Sequence, residues 1–219
     1  MERETSIICA KNIMGLNFIG IDELLFIQKN MGLFIPPDIL ESIPVLPFSE
    51  NLLESKKHDY ILILGIPFYK DGSSLTLLKM REHFGWDPEQ HEPCFYNQDW
   101  YLNEDFAKNK TFEMKWFLIK KEIHEGYRGK ELKNIDMDYI IHLPSAVLCS
   151  YTFFAYYFFT GCRQMLWKHD FIWCGDKDHN FDPIYVGRYV DPNGHNKNGF
   201  NIHRHLSIKL NHSIVNVFE

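Results

Sequence analysis

Apolar residues fall along this chain in blocks that change period, and the changes mark its elements. From Asp22 to Met31 the spacing is helical, with Asp22 as cap and Gly32 as stop. Ile35–Pro47 carries four prolines and predicts extended or irregular chain. Ser49 heads a short helix, and the unbroken apolar run Tyr60–Ile66 (YILILGI) suits a buried strand. The turn Lys70-Asp71-Gly72 follows. Ser73 and Ser74 are the cap candidates for a helix over Leu75–Phe84, closed by Gly85. This strand–loop–helix unit lacks the glycine spacing of a phosphate-binding loop, so no nucleotide is expected.

Pro93–Lys121 is aromatic and extended at both ends, with a strand over Phe112–Lys120. A polar stretch, His124–Asp136, reads as an exposed connection and the most plausible place for a domain boundary. Ser145 then opens an apolar helix, Ala146–Thr160 (AVLCSYTFFAYYFFT), which Gly161 ends. At about 15 residues it is shorter than the ~20 needed to cross a bilayer. A buried core helix is therefore expected, and no membrane partner.

The last quarter predicts an antiparallel meander: Leu166–Cys174, Ile184–Val190 and Phe200–Leu210, joined by the loops Gly175–Pro183 and Asp191–Gly199. The pattern as a whole gives an α+β fold, with an N-terminal strand–loop–helix portion, central aromatic strands, a buried apolar helix and a C-terminal three-stranded antiparallel meander. It divides into 1–125 and 137–219, or forms a single domain. Two residues break the meander's alternation. Arg188 shares a face with Ile184, Val186 and Val190, and Arg204 interrupts the apolar face of Phe200, Ile202, Leu206, Ile208 and Leu210. A guanidinium among core residues needs a carboxylate or carbonyl partner, for which Asp170 is nearest by topology. Otherwise the two arginines hold an anion at the edge of a cleft.

Composition narrows the classes. The 219 residues are 45% hydrophobic and 24% charged with net charge −6, which excludes disorder and a general nucleic-acid sheath. Five cysteines with no paired spacing, behind an N-terminus lacking an export signal, predict reduced thiols and a cytoplasmic protein.

Three constellations could carry chemistry. Asp176, Asp178, Asn180 and Asp182 form D-x-D-x-N-x-D, oxygen side chains at alternate positions as a hard cation requires. The pattern resembles an EF-hand-type calcium loop and implies Ca2+ as a cofactor. Phe181 stands at the usual glycine and Gly187 at the usual twelfth-position glutamate. The same composition also suits an ordinary turn. Asp99, a gap of 13 residues, then Glu113 and Lys115 in FEMKWFLI resemble the PD-(D/E)XK nuclease pattern. That resemblance implies two carboxylates on Mg2+ and a lysine beside the attacking water. Lys108–Lys133 has a local charge of +4, which suits a phosphate backbone, although the residue before Asp99 is Gln98, not proline. Finally, His203 and His205 flank Arg204 on the polar side of a strand that gains charge below about pH 6.5.

These observations favour a cytoplasmic binding or accessory protein. It would recognise a protein partner or an anionic ligand through the C-terminal strand face, with Arg188, His203, Arg204 and His205 as contacts. The alternative is a Mg2+-dependent nuclease using Asp99, Glu113 and Lys115, with nucleic acid as partner.

Overall fold

The computed structural model describes residues 5–167, 169–189, 199–204 and 211–219. Helix α1 (Ile7–Met14) starts where the Ser6 hydroxyl accepts the Cys9 N–H, a cap the apolar periodicity alone did not reveal. Strand β1 (Phe18–Ile19) leads into α2 (Ile21–Met31). There the Glu23 carboxylate accepts the Gly20 N–H at 2.9 Å, and Gly32 ends the helix at φ +61°. Helix α3 (Glu50–Lys56) is capped by Ser49 as expected, and β2 (Tyr60–Leu64) is buried throughout. Helix α4 (Leu77–Phe84) starts later than the sequence suggested. Thr76 caps it, while Ser73 is held by the Asp71 carboxylate in the preceding turn.

A short α5 (Asp105–Lys108) precedes β3 (Trp116–Lys120). This strand begins four residues after Phe112, because the chain bends at Met114 and Lys115. After a second short helix, α6 (Met137–Ile140), comes α7 (Ala146–Phe159). All its residues up to Tyr157 are buried, as an apolar circumference dictates. Its polar groups are satisfied locally: Ser150 and Thr152 donate to the carbonyls four residues back, and Tyr151 donates to the Leu64 carbonyl at 2.8 Å. At 14 residues α7 is too short to span a membrane, and among the described residues no helix is long and apolar enough to do so.

The meander is present as β4 (Phe171–Lys177), β5 (Pro183–Tyr189) and β6 (Gly199–His203). The chain then contributes β7 (His212–Ser213) and β8 (Val217–Phe218). The fold is α+β, with two four-stranded sheets ordered β1-β2-β3-β8 and β6-β5-β4-β7. In the first, β1 runs parallel to β2, and β2, β3 and β8 are antiparallel. In the second, β7 lies parallel to β4 beside the antiparallel meander. The terminal residues thus pair with both sheets in succession.

One buried core runs through both sheets. It joins Ile19, Ile61 and Leu118 to Phe154 of α7 and to Ile172, Val186 and Ile202. Phe84, Phe95 and Phe200 lie around Phe154, with the Phe84 and Phe154 rings stacked 3.8 Å apart. A smaller cluster joins Tyr127 and Ile135 to Phe171, Trp173, Tyr185 and Ile214. The polar stretch expected to be an exposed connection is therefore anchored by side chains of its own against the second sheet. Residues 205–210, the second half of the expected third strand, lie outside the described residues.

Candidate functional site

The two anomalous arginines find partners inside the fold, and Asp170 is the partner of neither. Arg188 is buried, facing both carboxylate oxygens of Glu92 at 3.4 Å and the Met165 sulfur. Arg204 donates to Asp178 Oδ2 at 2.5 Å, approaches Glu104 at 3.9 Å and stacks 4.6 Å from the Trp100 ring. Asp170 instead takes the Arg128 guanidinium, at 2.5 Å. His203 lies on β6, with Gln98 Nε2 3.3 Å from its Nδ1. Burial pushes its pKa down to about 4, so the ring is neutral at physiological pH and adds no charge as pH falls through 6.5. His205 lies outside the described residues.

The oxygen-rich loop turns its carboxylates to different tasks. Asp176, at the end of β4, accepts the Ala146 N–H at the start of α7 and pairs with Lys110. Asp178 accepts the N–H groups of Asn180 and Asp182, both at 2.9 Å, as a turn-forming aspartate does. Desolvation raises the Asp178 pKa, but the Arg204 and backbone hydrogen bonds outweigh it and leave the group below its ordinary value. Phe181 takes the conformation a glycine usually supplies, at φ +65°. A Cβ at Gly187 would collide with the Asp170 carbonyl, so the position of the twelfth-residue glutamate has no room for a side chain.

Glu104, Asp178 and His179 each offer a ligand atom within 4.8 Å of the others, the one such group among the described residues. Its internal bonds are already made. Glu104 accepts the His179 N–H and faces His179 Nδ1 at 2.7 Å, while Arg204 stands where a cation would.

Asp99 and Glu113 have separate partners. Asp99, 79% exposed, faces Arg81 of α4 at 3.2 Å, whereas Glu113, 87% exposed, faces Lys115 at 3.8 Å. Glu113 and Lys115 lie in the bend ahead of β3, and Lys115 also pairs with Glu219.

Among the described residues, two cavities are lined by lysines that differ in carboxylate pairing. One, of about 460 Å³, is lined by Lys110, Glu113, Lys115, Ser145 and Glu219. Its lysines are each spent on a carboxylate. The other, of about 400 Å³, is lined by Lys121, Ile123, Tyr156, Gln164, Leu166 and Trp167, with Glu122, Glu125 and Asp170 at its walls.

In this second cavity Lys121 follows directly on β3, and its backbone N–H is fixed to the Asp59 carbonyl at 2.8 Å. Its Nζ donates to Asn17 Oδ1 at 3.2 Å. Among the described residues no carboxylate forms an ion pair with it. Burial lowers its pKa, against weaker upward pulls from Asp59 and Glu122. Tyr156, from the last turns of α7, places its hydroxyl 2.6 Å from Gln164 Oε1 and 3.3 Å from the same Asn17 Oδ1. The Asn17 amide is oriented because its Nδ2 donates to the Lys57 carbonyl at 2.7 Å.

The chain segment that brings Trp167 to this cavity is strained. Cys162, Trp167 and His169 all have positive φ, at 63°, 50° and 67°. Such conformations cost of order 1–3 kcal/mol each and persist where the surroundings impose them. Trp167 is held there by burial and by its indole N–H, which donates to the Lys120 carbonyl at 3.4 Å. Sequence reasoning missed this site. Its residues come from α7, the end of β3 and the loop before β4, and no short motif links them.

Comparison of the chain with models of protein families, with curated proteins and with solved structures finds no match.

Proposed function

We propose that this protein binds a small organic molecule in the Lys121 cavity and that the ligand offers an oxygen acceptor, carbonyl or carboxylate, to Lys121 and Tyr156. The observation that carries this reading is that Lys121 and Tyr156, which both line the cavity, approach one amide oxygen, Asn17 Oδ1, while among the described residues no carboxylate forms an ion pair with the lysine. Donors arranged around an amide oxygen also suit the oxygen of a ligand. The Tyr156 hydroxyl has one proton and two acceptor oxygens within reach, so donating to a ligand oxygen requires only a change of partner. Ile123, Leu166 and Trp167 give the ligand an apolar body to lie against, and 400 Å³ is in the range of small-molecule sites.

The C-terminal strand face supports the binding reading less well, because Arg188 and Arg204 are already neutralised by Glu92 and Asp178. Five free thiols fit a reducing compartment, and we place the protein in the cytoplasm on that ground.

The test is thermal unfolding in the presence of benzamide, acetophenone and benzoate. At least one should raise the transition, by an amount equivalent to about 2.7 kcal/mol at a hundredfold excess over Kd. Lys121→Met should abolish the rise while leaving the unliganded transition in place. If none of the three stabilises the protein, or if Lys121→Met responds like wild type, the reading fails.

A further inference from the structure

We propose that Lys121 is an imine-forming amine that condenses with a small aldehyde or ketone in this cavity, the Tyr156 hydroxyl passing a proton to the carbonyl oxygen. This rests on the cavity reading above and adds a covalent step to it. An ammonium cannot attack a carbonyl; the nitrogen must first be neutral, and a lysine in water at neutral pH is neutral in only about one molecule in a few thousand. A lysine becomes a nucleophile when it is desolvated and no carboxylate holds its charge. Lys121 approaches both conditions: burial acts on it more strongly than Asp59 and Glu122 do, and among the described residues no carboxylate pairs with it. Its Nζ hydrogen bond goes to a neutral amide oxygen, and its side chain is partly buried beside an apolar wall. Lys115, Lys110 and Lys79 are each paired with a carboxylate and lack this environment.

The reaction needs no oxidant or reductant. Lys121, having released one proton to solvent, adds its lone pair to the carbonyl carbon. A C–N bond forms, the C=O π bond breaks, and the oxygen takes the proton of Tyr156. The tyrosinate recovers a proton from the nitrogen of the adduct. The hydroxyl then leaves as water with a proton taken from solvent, giving a protonated imine that returns its N–H proton to solvent, so that amine and carbonyl yield imine and one water. Tyr156 reaches this position because α7 is fixed by its buried length, and Asn17 keeps the amine and the hydroxyl facing one point.

The experiment is reductive trapping of the full chain with benzaldehyde and cyanoborohydride, read by intact mass and by fragmentation of the peptide containing Lys120 and Lys121. Adjacent Lys120 serves as an internal control for ordinary lysine reactivity. Labelling at Lys121 should exceed that at Lys120 at least tenfold, Tyr156→Phe should slow it at least tenfold, and Lys121→Arg should remove it with the thermal transition unchanged. Equal labelling at the two lysines, or spread over surface lysines, overturns the proposal. So does a Tyr156→Phe variant that labels at the wild-type rate. Benzamide, which cannot form an imine, separates the two claims. If it still stabilises the protein while trapping shows no preference, binding stands and the covalent step falls; if benzamide does not bind and trapping is unselective, both fall.

Discussion

Arg204 and His203 are neighbours in the chain, yet their surroundings give them opposite fates. Arg204 keeps its charge because Asp178 and Glu104 turn towards it and Trp100 covers its face. Among the described residues His203 has no such carboxylate partner, and burial makes the neutral ring the stable form. The sign of the consequence is fixed. As pH falls, the unfolded chain protonates this histidine near 6.5 while the folded protein resists until about 4. Stability is therefore full above 6.5 and declines between 6.5 and 4, at up to about 1.4 kcal/mol per pH unit from this group. His83, also lowered by burial, acts in the same direction. Urea unfolding at pH 7, 6 and 5 should show the wild type losing stability faster than His203→Gln, which retains a hydrogen-bonding side chain opposite Gln98. Parallel curves would contradict this account.

At the scale of elements, α7 shows how one helix organises its neighbours. It is apolar all round, so it needs no solvent-facing stripe, but its N-terminus leaves backbone N–H groups that burial cannot tolerate. Ser145 takes the Leu148 N–H and Asp176 takes the Ala146 N–H. The Asp176 carboxylate that looked like a metal ligand is thus the anchor between β4 and this helix, a use favoured by the helix dipole. Ser145→Ala should cost about 1 kcal/mol. Asp176→Ala should cost more, about 3 kcal/mol, since a buried N–H and Lys110 both lose their partner. Equilibrium denaturation of the two variants checks the order; equal losses would show that Asp176 does not anchor the helix.

At the scale of the molecule, the last nine residues tie the two sheets together. β7 pairs with β4 of one sheet and β8 with β3 of the other, and Ile214, Val215 and Val217 between and within them are buried. Burying three such side chains is worth about 5–8 kcal/mol, comparable with the whole stability of a typical domain. A chain ending at residue 210 should lose its cooperative unfolding transition by circular dichroism. A truncated protein that still unfolds in one sharp transition would show that each sheet is held without this segment.

The sequence by itself determined the elements whose signals are local. The apolar run of β2, the Ser49 and Ser145 caps, the Gly32 stop, the continuous apolarity of α7 and the alternation of the meander each depend on residues within one element. It also exposed the arginines as anomalies, because a charge on an apolar face breaks a period that can be counted. Only the tertiary structure decided what those charges meet. Glu92, Asp178 and Glu104 reach Arg188 and Arg204 from segments up to about a hundred residues away in the chain. The Lys121 cavity depended on the same kind of encounter, since Asn17, Lys121 and Tyr156 carry no mutual spacing and meet only when α7 and β3 pack. Local periodicity is a property of short chain; a partner or a cavity wall is a property of packing, and packing is non-local.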